Sequence, residues 1–144
     1  MPISARRYHD ISCGHRVHGH EGKCAHLHGH NYRVHFTVEA DAELDALGRV
    51  LDFGVIKSAL CQWLKDNWDH RFLIWEQDPH LDALRALDPD GVVAVPFNPT
   101  AENMAEYLVN QVAPAQLAGT GATLTAVTVD ETRKCSVSFS KPDH

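Results

Sequence analysis

No apolar run in the sequence approaches the roughly 20 residues that a membrane span requires, and its opening, MPISARRYHD, lacks the apolar stretch of an export signal. Both absences point to a soluble, cytoplasmic protein with no membrane partner. Positive charge is also in short supply: 13 Lys and Arg stand against 19 Asp and Glu, for a net charge of −6. The basic residues are scattered rather than gathered into a stripe, which excludes a duplex-coating nucleic-acid binder. Cysteine is sparse. Cys13, Cys24, Cys61 and Cys135 lie far apart, so reduced thiols are expected rather than a disulfide framework. Linkers, solenoid-length repeats and low-complexity tracts are missing as well. With 144 residues and 44% hydrophobic content, the chain reads as a single domain over 1–144. At this size it can bury roughly 68–70% of its unfolded surface and needs no staples.

Histidine is the exception. There are 11, and eight fall between His9 and His35, interleaved with Gly, Cys and apolar residues in a way no affinity tag is. Directly after them, NYRVHFTVE (31–39) alternates, with Tyr32, Val34, Phe36 and Val38 on one face of a half-buried strand. Period two carries that face back to His28 and His30. An earlier strand is predicted over about residues 3–13. From Asp52, a plausible N-cap, the spacing of Phe53, Ile56, Leu60, Trp63 and Leu64 predicts a helix to about Asn67. A short helix within 79–91, with Leu81, Leu84 and Leu87 in register, and a short strand, VVAVPF (92–97), follow. NPT (98–100) starts a second helix capped by Thr100 and carrying Glu102 in its first turn; it is expected to end before Pro114. TLTAVTVDE (123–131) and CSVSFS (135–140) form a C-terminal hairpin. This order predicts an α+β domain, an antiparallel four-stranded sheet with two main helices on one face. Its bare edges call for oligomerisation.

The residues that carry chemistry centre on His15 and the run Cys24-Ala-His-Leu-His28-Gly-His30. Two imidazoles on one side of an extended segment, joined by a third from the preceding strand end, form the three-histidine pattern of an open zinc site. His15, His28 and His30 are the predicted Zn²⁺ ligands, with His18 or His26 as substitutes for His15. Apart from that substitution, His9, His18, His20, His26 and His35 read as solvated or sheet-face residues. Cys24 is either a fourth ligand that closes the site or a thiolate held off the metal as base or nucleophile. Cys13, Cys61 and Cys135 read as small buried hydrophobes. Asp69-His70 is either a proton-relay pair or a capped helix end. Glu131 continues the odd-numbered face of its strand, as a ligand anchor or a strand end meeting water.

Six motifs in order bring a resemblance: Gly14-His15-Arg16, Cys24-x-x-x-His28-Gly-His30-Asn31-Tyr32, Leu51-Asp52-Phe53, Asp69-His70-x-x-Leu73, Pro99-Thr100-Ala101-Glu102-Asn103 and Val129-Asp130-Glu131-Thr132. Over nearly its whole length the chain resembles the 6-pyruvoyl-tetrahydropterin synthase/6-carboxytetrahydropterin synthase family of the tunnelling fold. The resemblance implies His15, His28 and His30 as zinc ligands, Cys24 as catalytic thiol, Asp69 and His70 as relay pair, and Glu131 as the carboxylate anchoring the pterin. It also implies Thr100 and Glu102 as residues bordering the pocket. Three residues between Cys24 and His28 resemble the bacterial carboxy-forming members. The implied reaction converts 7,8-dihydroneopterin triphosphate to 6-carboxytetrahydropterin, acetaldehyde and triphosphate on the route to queuosine. The alternatives are the pyruvoyl-forming reaction and a non-catalytic zinc- or pterin-binding member. Arg16, Lys23, Arg133 and Lys134 are the cations nearest in sequence for the triphosphate. The family's assembly implies a homohexamer, a dimer of trimers, with sites between subunits. Cys13-Gly14, Ile74 and a longer 75–92 segment depart from the family pattern and bear on pocket shape.

Overall fold

The computed structural model describes residues 3–142; the two residues at each end of the expected domain lie outside them. Its backbone is a long antiparallel ribbon of β1 (Ser4–His15) and β2 (His28–Ala40), paired in unbroken register from Ser4 opposite Glu39 to His15 opposite His28. Alternation makes one side of β2 apolar, as predicted: Tyr32, Val34, Phe36 and Val38 are all essentially inaccessible to solvent.

Two helical rods supply the other half of the core. The first consists of α1 (Phe53–Ile56), a π-helical turn (Lys57–Cys61) and α2 (Gln62–Asn67). Asp52 caps it, accepting from the Gly54 N–H at 2.9 Å, and the wide turn buries Leu60 and Cys61 side by side. After α3 (Leu81–Leu87), the second rod runs through α4 (Ala101–Tyr107), a π-helical turn (Leu108–Val112) and α5 (Ala113–Gln116), with the Thr100 hydroxyl accepting from the Asn103 N–H. Ile56, Leu60, Leu64, Met104 and Leu108 join the apolar face of β2 in a single buried cluster.

Two expectations are corrected. The sheet is six-stranded and mixed, in the order β4-β3-β1-β2-β5-β6, rather than four-stranded and antiparallel. The strand missed from sequence is β3 (Phe72–Trp75), which runs parallel to both β1 and β4 (Val92–Val95). Its Leu73 and Ile74 are adjacent and both fully buried, so it lacks the alternation that marks a strand. The second rod does not stop before Pro114 but continues to Gln116. Pro114 sits in the first turn after the π-helical segment, where the missing N–H and the ring are tolerated. The short helix expected within 79–91 forms as α3, with Leu87 exposed at its end.

The C-terminal hairpin of β5 (Ala122–Asp130) and β6 (Ser136–Ser140) forms as predicted. A register shift opposite Thr37 and Val38 buries Leu124 and Thr125 in succession, and from there the odd residues Val127 and Val129 face the core. That shift aims Glu131, next in phase, toward the histidine end of the sheet. The opposite face is polar: Arg33 binds Asp10 at 2.8 and 3.1 Å and lies over the Tyr8 ring, and His35 meets Asp130 at 2.8 Å.

Candidate metal centre and the residues around it

The ladder itself builds the site. Cys13 lies opposite His30, Gly14 opposite Gly29, and His15 opposite His28, so three imidazoles emerge on the core side where the ribbon ends. Their ring centroids are 4.5, 5.0 and 5.1 Å apart. The glycine pair between them permits close backbone approach, since a Cβ on Gly29 would lie 3.0 Å from the Cys13 carbonyl.

Two backbone carbonyls set the tautomers. His15 Nδ1 donates to the Pro99 carbonyl at 2.7 Å and His28 Nδ1 to the His26 carbonyl at 2.8 Å, which leaves each Nε2 as a lone-pair donor. The Nε2 atoms of His15, His28 and His30 are all buried without a hydrogen-bond partner. They are the group among the described residues that could hold a metal ion, with ligand atoms all within 4.8 Å of one another. Burial, first, and the neighbouring rings lower the His15 pKa to about 4, against a carbonyl bond that favours the cation. His30 is lowered too, by burial and His28, while Glu131 opposes the shift. Neutral imidazoles are what a metal requires. Three convergent ring nitrogens with no fourth ligand atom among the described residues fit an open, catalytic-type zinc site.

Glu131 reaches the rim of this cluster, 3.5 Å from His30 Nε2. Cys24, in a short 3₁₀ turn (Lys23–Ala25), is partly buried and is not in the ligand group. Thr100 spends its hydroxyl on the helix cap one residue beyond the carbonyl that fixes His15, and Glu102 is exposed on the first turn of α4.

Asp69 and His70 pair at 3.1 Å but open elsewhere. The turn is stitched to the edge of β1, with the Ser12 N–H donating to Asp69 Oδ1 and the His70 N–H to the Ser12 carbonyl. This holds His70 at φ 59°, a left-handed conformation uncommon for a residue with a side chain. The pair borders a groove with Ser12, Asn31, Arg133 and Lys134, to which His15, His28 and Cys24 do not contribute. His70 also lines a second groove together with Cys13, Gly29 and His30, whereas His15, His28 and Cys24 line neither of the two.

Two smaller expectations change. Cys13 and Cys61 are buried as predicted, whereas Cys135 is exposed in the β5–β6 turn. Arg16 is not free for a phosphate: its Nε binds Asp78 at 2.8 Å and its Nη1 donates to the Ala25 carbonyl at 2.6 Å. Sequence reasoning also missed Tyr32 as a site neighbour. Its ring stands edge-on to His30 and His15 at 5.3 and 5.8 Å, and its buried hydroxyl has no partner. The only signal was its place two residues beyond His30 on the same strand face.

A curled mixed sheet with helices on one face and three convergent imidazoles at its end defines an α+β protein of the tunnelling-fold class with a metal-competent pocket. Residues 4–142 match the family model described as 6-pyruvoyl tetrahydropterin synthase, and the chain belongs to that family. It is 34% identical over 136 residues to the 6-carboxy-5,6,7,8-tetrahydropterin synthase of Rickettsia typhi, covering 94% of this chain and 98% of that one. A probable 6-carboxy-5,6,7,8-tetrahydropterin synthase of Halobacterium salinarum is 43% identical over 99 residues, 68% of this chain and 61% of the other. Among solved structures, an uncharacterized Wolinella succinogenes protein superposes with a TM-score of 0.83 at 23% identity, covering 96% and 98% of the two chains. The Caenorhabditis elegans 6-pyruvoyl tetrahydropterin synthase gives 0.69 at 24%, covering 96% and 95%.

Proposed function

We propose that the chain is a zinc-dependent 6-carboxytetrahydropterin synthase, a lyase converting 7,8-dihydroneopterin triphosphate and water to 6-carboxytetrahydropterin, acetaldehyde and triphosphate. The observation that carries this reading is the set of three buried, unpartnered Nε2 atoms with a carboxylate at its rim. The names of the full-length curated relatives support the carboxy-forming product. Zinc held by His15, His28 and His30 supplies Lewis acidity toward hydroxyls of the substrate side chain.

The remaining roles belong to the chain. Glu131 accepts from the amino and ring N–H donors of the pterin and so holds its side chain over the imidazoles. Cys24, outside the ligand group, is the base or nucleophile. Asp69 orients the His70 ring, which relays protons. Thr100 and Glu102 border the pterin pocket. Arg133 and Lys134, in the groove beside Asp69 and His70, are the cations for the triphosphate. Because His15, His28 and Cys24 line neither groove that His70 borders, Asp69 and His70 serve the site of another subunit, in a homohexamer built as a dimer of trimers. The pathway is that of queuosine and other 7-deazapurines, in the cytoplasm; no helix among the described residues is long and apolar enough to cross a membrane.

The test is incubation of zinc-loaded protein with dihydroneopterin triphosphate. Acetaldehyde and triphosphate in equal amounts are expected; triphosphate alone indicates the pyruvoyl-forming reaction, and neither indicates a non-catalytic binder. Cys24→Ala is expected to keep stoichiometric zinc and lose almost all turnover. Loss of zinc from that variant would make Cys24 a ligand and overturn the mechanism.

A further inference from the structure

The loop bearing Cys24 has little of its own to hold it. Residues 16–27 contain only the three-residue 3₁₀ turn, none of whose residues is fully buried. What fixes the loop comes from far away in sequence. Arg16, half-buried just after the last strand residue His15, reaches three partners at once. Its Nε binds Asp78 Oδ2 at 2.8 Å, Nη1 donates to the Ala25 carbonyl at 2.6 Å, and Nη2 meets His18 Nδ1 at 3.2 Å. The Val17 N–H donates to the Cys24 carbonyl at 3.0 Å. Cys24 thus sits between two backbone carbonyls, its own and that of Ala25, both held by the 16–17 segment.

Asp78 anchors the device. Its carboxylate is fully buried, an expensive place for a charge unless every lone pair is used. One oxygen takes Arg16 and the other accepts the His80 N–H at 2.9 Å. Burial alone would raise this carboxyl, but the His80 N–H and Arg16 hold it below its ordinary value. A planar guanidinium with several donors in fixed geometry suits such a brace, whereas a lysine offers only a point charge. Asn98 secures the far side of the same segment through two bonds to the His18 backbone, at 3.0 and 2.9 Å.

We propose that Asp78, acting through Arg16, is a positioning residue for the Cys24 thiol, so that the 75–92 segment serves the site as a brace for the thiol loop. The proposal rests on the catalytic reading of Cys24 but concerns where the thiol is held, which can be measured without turnover. Asp78→Asn keeps an acceptor for the His80 N–H and removes the charge that fixes Arg16. Arg16→Met combined with Asp78→Leu replaces the pair by apolar groups of similar bulk, a change that folded proteins tolerate, and removes the bond to Ala25.

The experiment uses zinc-loaded protein and follows the rate at which iodoacetamide alkylates Cys24, resolved from Cys135 by peptide mass mapping, beside zinc content, melting temperature, kcat and KM. Both variants are expected to keep full zinc and to alkylate Cys24 at a several-fold altered rate; the double variant should melt near wild type, and Asp78→Asn should melt lower because it leaves the Arg16 charge without its partner. A misplaced group costs about 100-fold in rate, so kcat should fall by about 10- to 100-fold while KM, set by Glu131 and the imidazoles, stays within about twofold. Arg16→Lys should recover part of the loss. Unchanged alkylation and kcat in the double variant would overturn the proposal, as would zinc content and melting temperature falling in step with kcat. If wild type turns over no pterin, altered Cys24 alkylation still supports the brace, and unaltered alkylation still refutes it.

Discussion

Acidification of the metal-free protein probes the imidazole cluster directly. His15 is 2% exposed and its pKa in the fold is about 4, whereas in the unfolded chain it takes the ordinary value near 6.5. Between those values the unfolded state binds a proton that the native state refuses, so stability is complete above about pH 6.5 and declines as pH falls toward 4. Below 4 both states are protonated and His15 contributes no further loss. A shift of this size corresponds to about 3 kcal/mol in full, of which about 2 kcal/mol is lost between pH 7 and pH 5. His30, lowered in the same direction, adds to the slope with the same sign. Urea unfolding of chelator-treated protein at pH 7, 6 and 5, at fixed protein concentration, measures the decline. His15→Gln should flatten it by about 2 kcal/mol. A slope as steep in the variant as in wild type would refute the claim that burial keeps this ring neutral.

Two further outcomes follow from the cluster's surroundings. Tyr32→Phe deletes a buried hydroxyl that has no partner, so the melting temperature of the metal-free protein should hold or rise, with about 1–3 kcal/mol available from the relieved desolvation; a clear fall would mean that the hydroxyl has a partner such as a bound water. Gly29→Ala sets a Cβ 3.0 Å from the Cys13 carbonyl, against the backbone that joins His28 to His30. It should weaken zinc binding in a competitive chelator titration while the far end of the ribbon, and hence the far-ultraviolet spectrum, stays unchanged.

How far the site could be read in advance depended on how local its causes are. His28 and His30 share a strand parity, which is written into two alternate positions, and the alternation of Tyr32, Val34 and Phe36 fixed which side of the sheet they face. His15 depended on register, since its place opposite His28 is set by the whole length of the β1–β2 ribbon. The face of Glu131 was legible in the odd residues of β5, but its meeting with His30 depended on how β5 pairs with β2. The position of Cys24 was not legible, because the Arg16–Asp78 contact spans 62 residues and neither residue is unusual where it stands. β3 was hidden for a different reason: four residues paired in parallel on both edges, with Leu73 and Ile74 both buried, carry no period.

The imidazole cluster is held ready at a cost to the fold. Each Nε2 is buried without a partner, and a buried acceptor left unsatisfied costs about 1–3 kcal/mol. The carbonyls of Pro99 and His26 add to this by fixing Nδ1 as the donor on two rings, so those rings cannot turn to find partners of their own. Such an arrangement is costly in the metal-free state and favourable only with a cation on the three nitrogens. Metal binding and folding are then one coupled equilibrium: the cation stabilises the native chain in proportion to the logarithm of its free concentration, and acid opposes both by protonating the same atoms. The carbonyl that orients His15 comes from the turn preceding α4, and the ring that it orients ends β1. Loosening the packing of that helix on the sheet should therefore weaken the metal site from a distance, through the His15 tautomer, without touching any ligand.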